Sequence, residues 1–148
     1  MLNDVYSERI LAAAAAIPPA RRLSAPDASA RKVSRVCGSE VTVDLIMREG
    51  RVADFGIEAK ACALGQASSS IVARNIIGAA PEELIAVRSA MRAMLKDGGA
   101  PPAGERWRDL EALSAIRDYP PRHASTLLVF EAVCDALESL GFTCENKL

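Results

Sequence analysis

Two cysteines stand where a thiol can do chemistry. Cys37 precedes Gly38 between two strand-like segments, and glycine there allows a tight bend that leaves the thiol uncrowded. Cys62 falls where a strand-like segment gives way to a helical one. A helix N-terminus favours negative charge, and so favours the thiolate of a cysteine placed there. The two are 25 residues apart, and the chain between them reads as an antiparallel hairpin, leaving after Cys37 and returning at Cys62. Such a hairpin returns both thiols to one end of a sheet, where they could hold a soft metal or pass sulfur. The competing reading is that each is a small buried hydrophobe.

The other candidates are weaker. His123, the sole histidine, falls in the first turn of the last helix beside Arg122, and a lone histidine is more often structural or solvated than a ligand. Arg122 either holds a carboxylate or is solvated. Cys134 shares an apolar stripe with Leu127, Phe130 and Leu137, which predicts core packing, and Cys144 in the polar tail reads as incidental. A dyad of Cys37 or Cys62 with His123 lacks a third, orienting group. The chain has no CxxC, HExxH, GxGxxG or Walker loop.

The elements that must position these residues follow from periodicity. Residues 4–17 predict an alanine-rich helix that Pro18-Pro19 ends. Residues 21–30 read as a polar linker and 31–36 as a strand. Val41, Val43, Leu45 and Met47 alternate with polar residues, Ile46 being the apolar exception on the outer face. Glu49-Gly50 supplies a turn, and Ala53, Phe55, Ile57 and Ala59 continue the period of two. That pattern predicts one buried and one wet face. After Cys62 the period becomes helical. Gly78 ends one helix, Pro81 opens the next, and Lys96 closes it. Trp107, Leu110, Leu113 and Ile116 predict a short helix; Pro120-Pro121 opens the last, which Gly141 ends. The expected fold class is α+β: an N-terminal helix within residues 1–20, a small three-stranded antiparallel sheet within 31–60, and a block of helices over 62–141. All of 1–148 is expected to form one domain.

Composition excludes several functions. Half the residues are hydrophobic and 25% charged, a globular rather than a disordered balance. Aromatics are only 4%, so the core must be built from small and aliphatic side chains. Lys and Arg number 18 against 19 Asp and Glu, for a net charge of −1, which offers no phosphate-neutralising surface for nucleic acid. No apolar run approaches the roughly 18 residues a membrane span needs. Asp4 and Glu8 precede the apolar stretch from Ile10 to Ile17, whereas a signal peptide starts basic. The expected compartment is therefore the cytoplasm, where cysteines serve metals or thiol chemistry rather than staples.

Cys37-Gly38, the hairpin from Val41 to Lys60, and Ala61-Cys62-Ala63-Leu64-Gly65-Gln66-Ala67-Ser68-Ser69-Ser70 together resemble the NifU-like/IscU/SufU scaffolds of iron–sulfur cluster assembly. The resemblance runs from about Arg31 to Leu140. The SufU branch is the nearer one, given the extra segment around Ala100 to Asp118 and the Tyr119-Pro120-Pro121-Arg122 approach to the last helix. The IscU branch's Leu-Pro-Pro-Val-Lys motif is missing. The family's aspartate after Cys-Gly is Ser39 here, and its third cysteine falls at Ser125. Hydroxyls are poor ligands for zinc or iron at neutral pH.

The resemblance implies a SufE/NifU-like fold. It also implies a scaffold for a transient iron–sulfur cluster, or a persulfide acceptor, working with a cysteine desulfurase and handing on to downstream iron–sulfur acceptor proteins. Cys37 and Cys62 would be the acceptor thiols, and with His123 the remaining candidate metal ligands; Glu40 is a further carboxylate nearby. His123 resembles the IscU-branch histidine but stands two residues before Ser125 rather than one. The alternatives are a zinc-dependent sulfurtransferase of the SufU kind and a metal-free degenerate scaffold that acts as an interaction protein.

Overall fold

The computed structural model describes residues 7–35 and 38–144. Helix α1 spans Glu8–Ala15. Ser7 caps it, its Oγ accepting from the Ile10 N–H at 3.4 Å. Its end at Ala16, ahead of Pro18-Pro19, agrees with the sequence; Asp4 to Tyr6, the expected first residues, lie outside the described ones.

Strands β1 (Ala28–Val33), β2 (Glu40–Arg48) and β3 (Arg51–Lys60) form one antiparallel sheet in the order β1-β2-β3. The hairpin turn places Glu49 at φ 54° and Gly50 at φ 75°, the left-handed pair that suits a two-residue connection between twisted strands. Val41, Val43 and Leu45 are completely buried, as the period of two requires.

Two expectations about the sheet need correction. The first strand begins at Ala28, inside the supposed linker, and ends at Val33. Polar residues do the pairing there. The Asp27 N–H donates to the Leu45 carbonyl at 2.8 Å, and the Asp27 carboxylate accepts from the Met47 N–H at 2.7 Å. Nor is the outer face wet throughout, because Asp44 on that face has no exposed surface. The chain at 21–23 crosses over it. Arg22 donates to the Asp44 carboxylate at 2.7 and 3.1 Å, the Leu23 N–H at 2.9 Å, and the Ser29 hydroxyl donates as well. Gly56, paired with Asp44, permits the crossing, since a Cβ there would lie 2.8 Å from the Arg21 carbonyl oxygen.

Helices α2 (Ala63–Asn75) and α3 (Pro81–Asp97) follow, then α4 (His123–Ser139). Pro81 at the first turn of α3 and Gly98 at φ 71° just past its end match the expected start and stop. The stretch Glu105–Asp118 is a 3-10 helix, not the short α-helix expected. Trp107, Leu110, Leu113 and Ile116 recur strictly every third residue and all are buried. Three residues per turn keeps that stripe on one face, whereas an α-helix would rotate it away from the core. A further 3-10 turn at Pro120–Arg122 leads into α4. That helix is buried along most of its length, packing on β1 and β2 on one side and α2 and α3 on the other. α1 lies against α2. Among the described residues no helix is long and apolar enough to cross a membrane.

Candidate functional site

The hairpin register decides which residues share a corner. Glu40 pairs with Lys60 on one side and Val33 on the other. The approach to β2, at Gly38-Ser39, therefore lies at the same end of the sheet as the exit from β3, at Ala61-Cys62. The loop entering β2 is tied across its base: the Ser34 N–H donates to the Ser39 carbonyl, and the Gly38 N–H to the Ser34 carbonyl, both at 2.8 Å. Gly38 takes φ 73°, the left-handed conformation that the sequence expects of a glycine in this bend. Cys37 itself lies outside the described residues.

Cys62 is the N-cap residue of α2, in extended conformation (φ −69°, ψ 175°) and half-buried. Its carbonyl accepts the first helical bond, from the Gln66 N–H at 2.9 Å, while its side chain makes no capping bond. The Gln66 amide donates to the Ala61 carbonyl at 3.0 Å, fastening the strand-to-helix junction. The residue thus stands at a helix start, whose first N–H groups have no partner within the helix.

The first turn of α4 closes on this junction. A Cβ placed on Gly65 would lie 3.4 Å from the Ser125 carbonyl oxygen and 2.7 Å from the Ala61 Cβ. Gly65, which the sequence reading did not single out, is what allows the two helix starts to meet. Its signal was a glycine inside an otherwise helical run, three residues after the cysteine. Ser125 is buried, and its hydroxyl donates to the Arg122 carbonyl at 3.2 Å. Ser39 is buried too. His123 begins α4 as expected, and its Nε2–H donates to the Ile116 and Arg117 carbonyls at 3.1 and 3.0 Å. One ring nitrogen is thereby committed to the end of the 3-10 segment. Glu40 is paired with Arg31, whose hydrogen bond holds the carboxyl below its ordinary range. The Arg122 side chain is exposed.

As a donor set this corner is poor for a resident zinc. A closed zinc site takes four ligands from thiolate, imidazole and carboxylate. Ser39 and Ser125, where the resemblance implies an aspartate and a cysteine, offer hydroxyls instead, and the Ser125 hydroxyl donates to the Arg122 carbonyl. Among the described residues no three His, Cys, Asp or Glu side chains gather to hold a metal ion.

The remaining cysteines lie elsewhere. Cys134 is completely buried in α4, as its place on the apolar stripe predicts. Cys144 corrects the sequence reading: it is 3% exposed, and its Sγ donates to the Cys134 carbonyl at 3.6 Å.

Comparison with known proteins agrees with this architecture. The family model described as NifU-like N terminal domain matches residues 18–126. An iron–sulfur cluster assembly scaffold protein IscU from Thermotoga maritima is 26% identical over 110 residues, covering 71% of this chain and 72% of that protein. The protein of the same description from Streptococcus pyogenes is 24% identical over 102 residues, covering 69% of this chain and 64% of that protein. The crystal structure of the N-terminal part of a nitrogen-fixing NifU-like protein from Brucella abortus superposes with a TM-score of 0.91 at 51% identity, over 94% of this chain and 96% of that one. A putative iron–sulfur cluster assembly scaffold protein for the SUF system, from Fervidobacterium islandicum, shares the fold with a TM-score of 0.82 at 21% identity, over 91% of this chain and 98% of that one. With the family model matched over residues 18–126 and the fold shared, the chain belongs to the NifU-like N-terminal domain family.

Proposed function

We propose that the protein accepts sulfur for iron–sulfur cluster assembly. A cysteine desulfurase would be the donor, Cys62 and Cys37 the acceptor thiols, and iron a substrate brought to the same corner. The observation that supports this reading is the Glu40–Lys60 pairing, which puts Gly38-Ser39 and Ala61-Cys62 at one sheet end with Cys62 at a helix start. The step needs no metal. The Cys62 thiolate attacks the outer sulfur of the donor's persulfide; a new S–S bond forms, the donor's S–S bond breaks, and the donor leaves as a thiolate. A helix N-terminus supports the attacking anion. Downstream iron–sulfur proteins would then receive the product, and the compartment in keeping with such thiols is the cytoplasm.

A second reading, a metal-free interaction protein that keeps the fold, draws on the hydroxyls at Ser39 and Ser125. The zinc sulfurtransferase reading is disfavoured by the same donor set. Incubation with a cysteine desulfurase and cysteine, followed by intact-mass measurement, separates these. Addition of one sulfur atom to the wild type, lost in Cys62→Ser, supports the relay. If neither thiol gains sulfur while a stable complex with the desulfurase still forms, the interaction-protein reading replaces it.

A further inference from the structure

The two cysteines outside the corner meet on the far half of α4. After Ser139 the chain turns back on the helix it has just left. Gly141, at φ 99°, makes the bend, and the Phe142 N–H donates to the Leu137 carbonyl at 3.2 Å. This return lays Cys144 alongside Cys134. The Cys144 Sγ donates to the Cys134 carbonyl at 3.6 Å, which brings its sulfur against the residue that bears the other thiol. Both are thiols rather than a disulfide, and both are buried, at 0% and 3% exposure. Only ten residues separate them along the chain, so a link between them closes a small loop around an existing turn.

We propose that Cys134 and Cys144 form a modification site: a dithiol that a peroxide converts into an intramolecular disulfide, clasping the segment after α4 onto that helix. The chemistry balances with peroxide as the oxidant. Cys144, the less deeply buried sulfur, is oxidised first to a sulfenic acid, giving up two electrons while the peroxide O–O bond breaks and one water is released. The Cys134 sulfur then attacks the Cys144 Sγ. An S–S bond forms, the S–O bond breaks, and the departing hydroxide takes the Cys134 proton as a second water. In total two thiols lose two electrons and two protons, and one hydrogen peroxide becomes two waters. Burial, then the hydrogen bond to Cys144, push the Cys134 thiol well above the usual thiol range.

The test uses the reduced full chain treated with hydrogen peroxide, then intact mass and peptide mapping without reductant. The expected result is a mass lower by about 2 Da and a linked peptide joining Cys134 to Cys144, both reversed by a thiol reductant. The link should survive in Cys62→Ser and Cys37→Ser and vanish in Cys144→Ser. The proposal is overturned if the wild type leaves both thiols unlinked, if Cys144 proceeds to the sulfinic or sulfonic acid without a link, or if the linked peptide joins Cys37 or Cys62 instead. Because the wild type carries the deciding measurement, a variant that folds poorly does not obscure the outcome.

Discussion

The two halves of α4 bury side chains of nearly equal size beside different neighbours. At its first turn, Ser125 is buried against the start of α2 at the corner that bears Cys62, and its hydroxyl donates to the Arg122 carbonyl. Nine residues on, Cys134 keeps a sulfur but has no exposed surface. The buried position beside Cys62 carries oxygen, and the buried position further along the helix carries sulfur. Environment, not residue type, decides which thiol can act. Cys62 qualifies through partial exposure at a helix start. Cys134 is held protonated by burial and by its hydrogen bond to Cys144.

The sharpest way to break this contrast is to remove each sulfur in turn. Cys62→Ser should remove the sulfur that thiol takes up from a desulfurase, read by intact mass and peptide mapping, with little change in stability. Cys134→Ser should leave uptake intact but cost about 1–3 kcal/mol in denaturant unfolding, since it puts a hydroxyl where a weakly polar thiol was packed. Equal effects of the two variants on uptake would erase the distinction drawn between the halves. Ser125→Cys sharpens it further. If the first turn of α4 lacks only the donor atom, this variant should retain zinc through purification when the wild type does not, as elemental analysis would reveal. Unchanged zinc content would mean that the corner's geometry, rather than its hydroxyl, sets the limit.

The close approach of the two helix starts is the next test. Gly65→Ala puts a Cβ 2.7 Å from the Ala61 Cβ and 3.4 Å from the Ser125 carbonyl. Overpacking of this kind costs about 1–3 kcal/mol, measurable by denaturant titration. Because the strain falls at the junction that holds Cys62, the rate of sulfur uptake should fall as well. A substitution that lowers neither would show that the junction has slack the distances do not suggest.

Much of this was legible in the sequence because simple periods encode it. The hairpin follows from a period of two and a turn pair, and α3 from its proline and glycine punctuation. The family and its scaffold role followed from the cysteine-bearing segments. What was not legible depended on tertiary partners. Ala28 begins a strand because Asp27 and Ser29 bond to β2 rather than to water. Asp44 is buried because a segment some twenty residues upstream folds over it. The 3-10 stretch was legible in principle, since Trp107, Leu110, Leu113 and Ile116 never use a four-residue step. Cys144 looked incidental because nothing local announces that the tail doubles back onto α4. At the corner the sequence proposes Cys37, Cys62 and His123, but nothing in it announces that His123 spends a ring nitrogen on two carbonyls.

The smallest expected effect concerns Asp44 and isolates the half of the sheet's outer face that the chain at 21–23 covers. Burial of Asp44 pushes its carboxyl up, but the hydrogen bonds from Arg22, Ser29 and the Leu23 N–H outweigh that and hold it below the ordinary carboxylate range. The unfolded chain therefore binds a proton at Asp44 at a higher pH than the folded one does. Its contribution to stability is fully present above the unfolded value of about 3.9 and is lost as the pH falls through the folded value. Asp44→Asn keeps the shape but trades charge-assisted bonds for neutral ones, at a cost of about 1 kcal/mol at neutral pH. It should also flatten the fall in stability below pH about 4, because the group that titrates there has gone. Denaturant midpoints measured from acid to neutral pH would test both. An acid limb as steep in the variant as in the wild type would assign the acid sensitivity to other carboxylates and leave the clasp over β2 and β3 a matter of packing alone.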